Sequence, residues 1–142
     1  MDDLRHRLLR AVARSEPPSS DFDLNPAVIL PPNRKLRPAG VLIAIDPCQN
    51  APRVVLTKRS SALKHHPGQI AFPGGKVDAG DDGPVGAALR EAEEEIGLDR
   101  ARVEVLGALA PHETVTGFEA TPVLGLIQRP PTFVAEAGEV DE

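Results

Sequence analysis

Arg90, Glu91, Glu94 and Glu95 have the residue types and spacing to do chemistry together. On a helix, Glu91 and Glu95 stand one turn apart and Glu91 and Glu94 three residues apart, so the three carboxylates reach toward one place while Glu93 points elsewhere. Like charges at this spacing cost an isolated helix roughly 0.2–0.5 kcal/mol per pair, and crowding beside a buried face favours protonation unless a cation intervenes. A divalent ion relieves both effects. Oxygen donors of this kind favour Mg²⁺ or Mn²⁺, which take one or two carboxylates and leave substrate phosphates to complete the shell. A bare Glu-Glu-Glu run is ordinarily a solvated acidic face, so its neighbours decide. Arg90, four residues before Glu94, is placed to orient that carboxylate, and Gly74-Gly75 forms a loop whose bare backbone can approach a ligand or metal closely.

These residues need a helix and a scaffold. Asp81, Asp82 and Gly83 precede Pro84, and Gly97 follows Ile96, which supplies acidic capping candidates, a first-turn proline and a glycine stop. The pattern predicts a helix over Pro84–Ile96, with Val85, Ala88, Leu89, Ala92 and Ile96 as the stripe that packs on a sheet. Short β-branched runs at Gly40–Ile45 and Arg53–Thr57, separated by a Pro/Asn turn, predict paired strands, and Ile70–Phe72 adds another. Alternation at Val103 and Val105 and the apolar run Thr121–Ile127 predict a half-buried and a buried strand. Leu4, Leu8 and Val12, with acids in front and Arg10 and Arg14 behind, predict a short N-terminal helix. Six prolines between Pro17 and Pro38 disfavour regular structure and read as a connector, with Val28–Leu30 as a short strand within it.

The chain has 142 residues, 41% of them hydrophobic, enough for one globular domain. Sixteen basic against twenty-one acidic residues give a net charge of −5, the wrong sign for a protein that grips polynucleotide by neutralising phosphates. Tyr and Trp are absent and Phe occurs four times, which argues against a stacking platform for single strands. No nucleic-acid partner is expected. Apolar runs such as Val41–Ile45 and Val123–Ile127 fall far short of the ~20 residues that span a bilayer, and Met1-Asp2-Asp3 is not a basic signal region, so neither membrane insertion nor secretion is expected. Cys48 is the single cysteine, so no intrachain disulfide is possible; its Asp-Pro-Cys-Gln-Asn setting reads as a turn rather than a metal or nucleophile motif, and a reducing cytoplasm is the default location. His65 and His66 have no Cys or third His at ligand spacing, so a zinc site is not expected.

Taken together, Gly75, Asp81/Asp82, Arg90, Glu91, Ala92, Glu94, Glu95, Gly97 and Leu98 resemble the Nudix box: Gly, five residues, Glu, seven residues, then Arg-Glu-U-x-Glu-Glu-x-Gly-U, with U a bulky aliphatic. Ala92 stands at the first U. The acidic position counted back from Arg90 is Asp82, and the loop from Gly75 is one residue longer than the general pattern, which leaves Asp81 as the alternative. The longer loop, Gly74-Gly75-Lys76-Val77-Asp78 followed by Asp81, is similar to the coenzyme A pyrophosphatase branch. Upstream, Leu56-Thr57-Lys58-Arg59-Ser60, Leu63, His66 and Gly68-Gln69-Ile70-Ala71-Phe72-Pro73-Gly74-Gly75 resemble that branch's second signature. Thr116-Gly117-Phe118 and Thr121-Pro122-Val123 resemble its Ser-Gly-Phe-x-Val-x-Pro segment. The likeness runs from about Leu36 to Glu142.

The resemblance implies an α/β fold, the Nudix α/β/α sandwich with a mixed β-sheet between helices. It divides the chain into an N-terminal helix and connector at 1–35 and a Nudix domain at 36–142. It also implies metal-dependent hydrolysis of coenzyme A or acyl-coenzyme A to 3′,5′-ADP and (acyl-)4′-phosphopantetheine; the rivals are another nucleoside diphosphate derivative such as ADP-ribose, or a nucleotide-binding module without turnover. Glu91, Glu94 and Glu95 are the expected metal ligands for Mg²⁺ or Mn²⁺, and Arg90 belongs to the catalytic set. Glu94 and Glu119 are both candidates for the base, and Glu113 lies in the same segment as Glu119. Lys58, Arg59, Ser60 and His66, with Gly74 and Gly75, are the expected substrate-binding residues; Lys64 and His65 extend the cationic cluster that could meet a diphosphate or a 3′-phosphate. The family ordinarily continues into a further strand and helix beyond Gly138-Glu139-Val140-Asp141-Glu142. The expectation is therefore a fragment of a longer chain, or a homo-oligomer whose partner covers the open edge.

Overall fold

The computed structural model describes residues 2–14, 17–20, 35–47, 52–58, 70–114 and 117–128. Helix α1 spans Asp2–Ala13 and α2 spans Gly83–Ile96, with a 3₁₀ turn at Arg100–Arg102. The strands are β1 (Ser19–Ser20), β2 (Arg37–Asp46), β3 (Arg53–Val54), β4 (Thr57–Lys58), β5 (Ile70–Ala71), β6 (Gly74–Lys76), β7 (Val103–Ala108), β8 (His112–Glu113) and β9 (Phe118–Ile127).

The two ten-residue strands form the centre. β2 and β9 run parallel, in register from Arg37↔Phe118 to Ile45↔Leu126. Across β9, β7 and β8 pair antiparallel one after the other, and β1 joins β8 in parallel. On the other edge of β2, β6 pairs near its start and β3 near its end, both antiparallel. Among the described residues the result is a mixed seven-stranded sheet, with β4 and β5 as a separate two-stranded ladder.

Strand alternation gives each face its own layer. Leu42, Ala44, Val123 and Ile127 point toward α2, where Ala88, Ala92, Ile96 and Leu98 complete one core. Ile45, Leu124 and Leu126 point the other way and are covered by Leu4, Leu8 and Val12 of α1. The mixed sheet thus lies between two helices, the α/β/α sandwich anticipated from the sequence. The predicted stripe of α2 is the packed one: Ala88, Ala92 and Ile96 are buried, and Val85 and Leu89 pack at its margin.

Helix α2 stops where its sequence says it should. Gly97 adopts φ +71°, a left-handed conformation that costs a glycine little. Its N–H donates to the Glu93 carbonyl at 3.0 Å, the bond of an αL ending, and the Leu98 N–H reaches the Ala92 carbonyl at 3.4 Å, with Leu98 buried beneath. The start differs from expectation. Asp82 occupies the N-cap position without a side-chain capping bond.

Two other expectations are corrected. The run Arg53–Thr57 is not one strand: Arg53–Val54 pairs with β2, while Thr57–Lys58 leaves it to pair with β5. The proline-rich stretch gives up both its ends to the sheet, as β1 and as Arg37–Pro38 of β2. Pro38 lacks a donor but sits near a strand end, and its carbonyl still accepts from the Val77 N–H at 2.9 Å. The proposed strand Val28–Leu30 lies outside the described residues.

Candidate active site

Strand β6 brings the glycine pair to the acidic helix. Gly75 lies opposite Gly40 of β2, and Gly74 opposite Val41. Helix α2 crosses above the same place, so close that a Cβ on Gly40 would strike the Pro84 carbonyl. Gly75 then faces Glu91: a Cβ built on it would lie 2.7 Å from the Glu91 carboxyl carbon and 2.8 Å from Oε1. One turn further, Glu95 Oε2 accepts from the Gly74 N–H at 3.3 Å. The two acids one turn apart therefore meet the glycine pair, which lies in strand β6, held by pairing with β2, and not in the loop expected from the sequence.

Arg90 gathers the remaining acids. Its Nε and Nη2 donate to the two carboxylate oxygens of Asp81 at 2.8 and 3.0 Å. Nη2 also lies 3.2 Å from Asp78 and 3.3 Å from the Lys76 carbonyl oxygen. Nη1 faces Glu91 Oε1 at 3.1 Å and both oxygens of Glu94 at 3.3 Å. One guanidinium thus touches four carboxylates and ties the β6–α2 loop to the helix. Hydrogen bonding to Asp81 is the largest influence holding Arg90 in its charged form. The same bond, reinforced by the Asp78 N–H at 2.8 Å, holds the Asp81 carboxyl below its usual range.

These contacts settle which of the two neighbouring acids turns to the arginine. Asp81 does so, with a side chain only 5% exposed, whereas Asp82 is exposed. Asp78 is a contact that motif reading did not single out. Its signal was present in the sequence: two acids three residues apart in a glycine-rich loop, just ahead of a helix carrying one arginine among glutamates. Glu93 points away, as expected, and pairs with Arg100 at 3.4 Å.

The donor set fits a hard cation in its chemistry: Glu91 and Glu95 stand beside the glycines of β6, where no side chain blocks approach, and Glu94 is joined to Glu91 through Arg90. Among the described residues, no three His, Cys, Asp or Glu side chains are already gathered as a metal cage. Instead, Arg90 spans Glu91 and Glu94, and Glu95 receives the Gly74 N–H.

Glu119 stands apart from this cluster, at the other end of β9 from the buried core. It is opposite Glu113 on β8 and Pro38 on β2. Alternation places it on the α2 side of the sheet with Val123 and Ile127. Glu113 is buried and accepts from the Ser20 hydroxyl at 2.6 Å, while Ser19 bonds His112 Nδ1 at 2.7 Å. Glu113 and Glu119 line a cavity of about 240 Å³ with Pro18, Ser19, Ser20, Leu36 and Pro111. A larger cavity, about 470 Å³, lies among Ala101–Glu104 and Gln128, at the opposite end of β9 and away from the acids. Of the expected substrate-binding residues outside β6, Lys58 lies in β4, while Arg59, Ser60 and His66 lie outside the described residues.

Residues 36–140 match the family model described as NUDIX domain. This chain belongs to the Nudix family. Among curated proteins, it is 43% identical over 121 residues to an uncharacterized Nudix hydrolase NudL of Pectobacterium atrosepticum, covering 85% of this chain and 62% of that one. It is 48% identical over 103 residues to the uncharacterized NudL of Enterobacter sp., covering 72% and 52%. The chain thus spans between half and two thirds of the length of these relatives. Among solved structures, a Nudix hydrolase from M. smegmatis, RenU, aligns with a TM-score of 0.61 and 26% identity, covering 73% of this chain and 66% of that one. The Nudix domain of Shewanella oneidensis NrtR, solved with ADP ribose, aligns with a TM-score of 0.58 and 15% identity over 86% and 78%, a likeness of fold. No helix among the described residues of this Nudix chain is long and apolar enough to cross a membrane.

Proposed function

We propose that this Nudix domain serves a metal-dependent pyrophosphatase that cleaves the diphosphate of coenzyme A or acyl-coenzyme A, giving 3′,5′-ADP and (acyl-)4′-phosphopantetheine in the cytoplasm. The observation that carries the reading is the meeting of Glu91 and Glu95 with Gly74-Gly75, the β6 residues on which the second signature ends. Its support for coenzyme A over other nucleotides is the run Leu56–Ser60 and Gly68–Gly75, which resembles that branch.

Glu91 and Glu95, with Glu94, would hold Mg²⁺ or Mn²⁺. When bound, such an ion supplies charge neutralisation at the diphosphate. The chain's own groups do the rest. The bare Gly74-Gly75 backbone leaves room for a phosphate to approach. Lys58 and Arg59 would offset the substrate's remaining negative charge, and Ser60 and His66 would donate hydrogen bonds to it. A carboxylate, Glu94 or Glu119, takes a proton from the attacking water; oxygen bonds to one phosphorus and the bridging P–O bond breaks, leaving a phosphate on each product. Of the three glutamates Glu91, Glu94 and Glu95, Glu94 is the exposed one, with a side chain 54% accessible, which suits a group that must meet water.

Incubation of the purified chain with Mg²⁺ or Mn²⁺ and coenzyme A, followed by mass identification of products, tests this directly. The expected products are 3′,5′-ADP and 4′-phosphopantetheine, with turnover lost in Glu94→Gln or Glu95→Gln. Cleavage of ADP-ribose alone in a parallel reaction would reassign the substrate. Full metal-dependent turnover in both variants would overturn the site.

A further inference from the structure

The two edges of the Arg90 guanidinium are held unequally. The Nε/Nη2 edge makes a bidentate pair with Asp81 at 2.8 and 3.0 Å, and Asp81 is nearly buried and fixed by the Asp78 N–H. The Nη1 edge makes longer contacts, 3.1 Å to Glu91 and 3.3 Å to Glu94, and the Glu94 side chain is 54% exposed. Charge-assisted bonds of full strength lie nearer 2.7–2.9 Å. The weak edge therefore rests on the carboxylates that a hard cation would take, while the strong edge rests on an acid outside that set.

A guanidinium cannot step aside by losing its proton. It either moves or is held back by another partner. We infer that Asp81 is a positioning residue that anchors Arg90 by one edge, so that the other edge is a placeholder on Glu91 and Glu94 that yields to a divalent cation without the arginine leaving the site. Without Asp81, that edge keeps only its longer Nη2 contacts, 3.2 Å to Asp78 and 3.3 Å to the Lys76 carbonyl, and Arg90 competes with the cation for the helix acids. This rests on the metal-dependent reading above and adds the residue that controls the exchange.

Calorimetric titration of the folded chain with Mn²⁺ alone tests it. Asp81→Asn is expected to weaken binding about 10–100-fold, the usual cost of losing a partner behind a ligand set. Asp82→Asn removes the same charge from the adjacent exposed residue and is expected to stay within about threefold of the unaltered chain. Equal affinities for Asp81→Asn and the unaltered chain, or equal losses in the two variants, would overturn the anchor. No Mn²⁺ binding by the unaltered chain would overturn both this inference and the metal-dependent function. Should Asp81→Asn fail to fold, the Arg90 Nε–H resonance of the unaltered chain decides: it is expected to keep its hydrogen-bonded shift on addition of Mg²⁺, and its loss would refute the anchor.

Discussion

Replacing Gly75 by alanine separates the site from the fold. The new methyl would sit 2.7 Å from the Glu91 carboxyl carbon, where carbon atoms in contact are normally about 3.5–4.0 Å apart. The carboxylate must retreat by about 1 Å, and it can, because the obstructing atoms are the far end of a flexible side chain. Retreat disturbs the 3.1 Å contact with Arg90 Nη1, a partly exposed interaction worth no more than about 1 kcal/mol. Against this, alanine reduces the freedom of the unfolded chain by about 0.4–1 kcal/mol. Stability should therefore change by less than about 1 kcal/mol, whereas displacement of an active-site group by about 1 Å can cost about 100-fold in rate. Thermal melts, Mn²⁺ titration and turnover of coenzyme A, measured on one preparation of Gly75→Ala, give the comparison. A variant that melts normally yet binds Mn²⁺ and turns over like the parent would show that the approach of Glu91 to Gly75 has no part in the chemistry.

Other substitutions probe the scaffold. Gly40→Ala meets the Pro84 backbone carbonyl, which cannot swing aside, and should destabilise the chain by about 3 kcal/mol or more in urea unfolding. Leu8→Ala, on the helix covering the opposite face of the sheet, should cost about 1–3 kcal/mol, since Leu8 is only partly buried; an unchanged melting curve would mean that α1 does not stay docked. Asp81 sets a pH dependence. Its carboxyl is held below the ordinary value of 3.8, so it stabilises the fold above that pH and loses this as the pH falls through its lowered value. The stability gap between the parent and Asp81→Asn should narrow from about pH 5 toward about pH 2, and a gap that widened over that range would contradict the ion pair.

Much of this arrangement was legible because it obeys short periodicities. The α2 stripe, the Gly97 stop and the convergence of Glu91 and Glu95 follow from 3.6 residues per turn and needed no partner to be known. The same is true of Leu4, Leu8 and Val12 in α1. The acid that Arg90 selects was not legible, because the β6–α2 loop has no repeat to fix its register; only the fold brings Asp81, rather than Asp82, under the guanidinium. Nor was the pairing of Ser19-Ser20 with His112-Glu113, since two-residue strands carry too little pattern to reveal a neighbour more than ninety positions away. The split of Arg53–Thr57 between two ladders had no local signal either, because both halves are β-branched.

The parallel ladder of β2 and β9 joins Arg37 to Phe118, 118 − 37 = 81 positions further along the chain. Contacts of such long range are closed late, after the entropy of a large loop has been overcome. During synthesis the glutamates of α2 therefore leave the ribosome well before the strand that completes the floor beneath them. Until β9 arrives, Ala88, Ala92 and Ile96 have only part of their lining, and the chain at that stage is a candidate for chaperone capture.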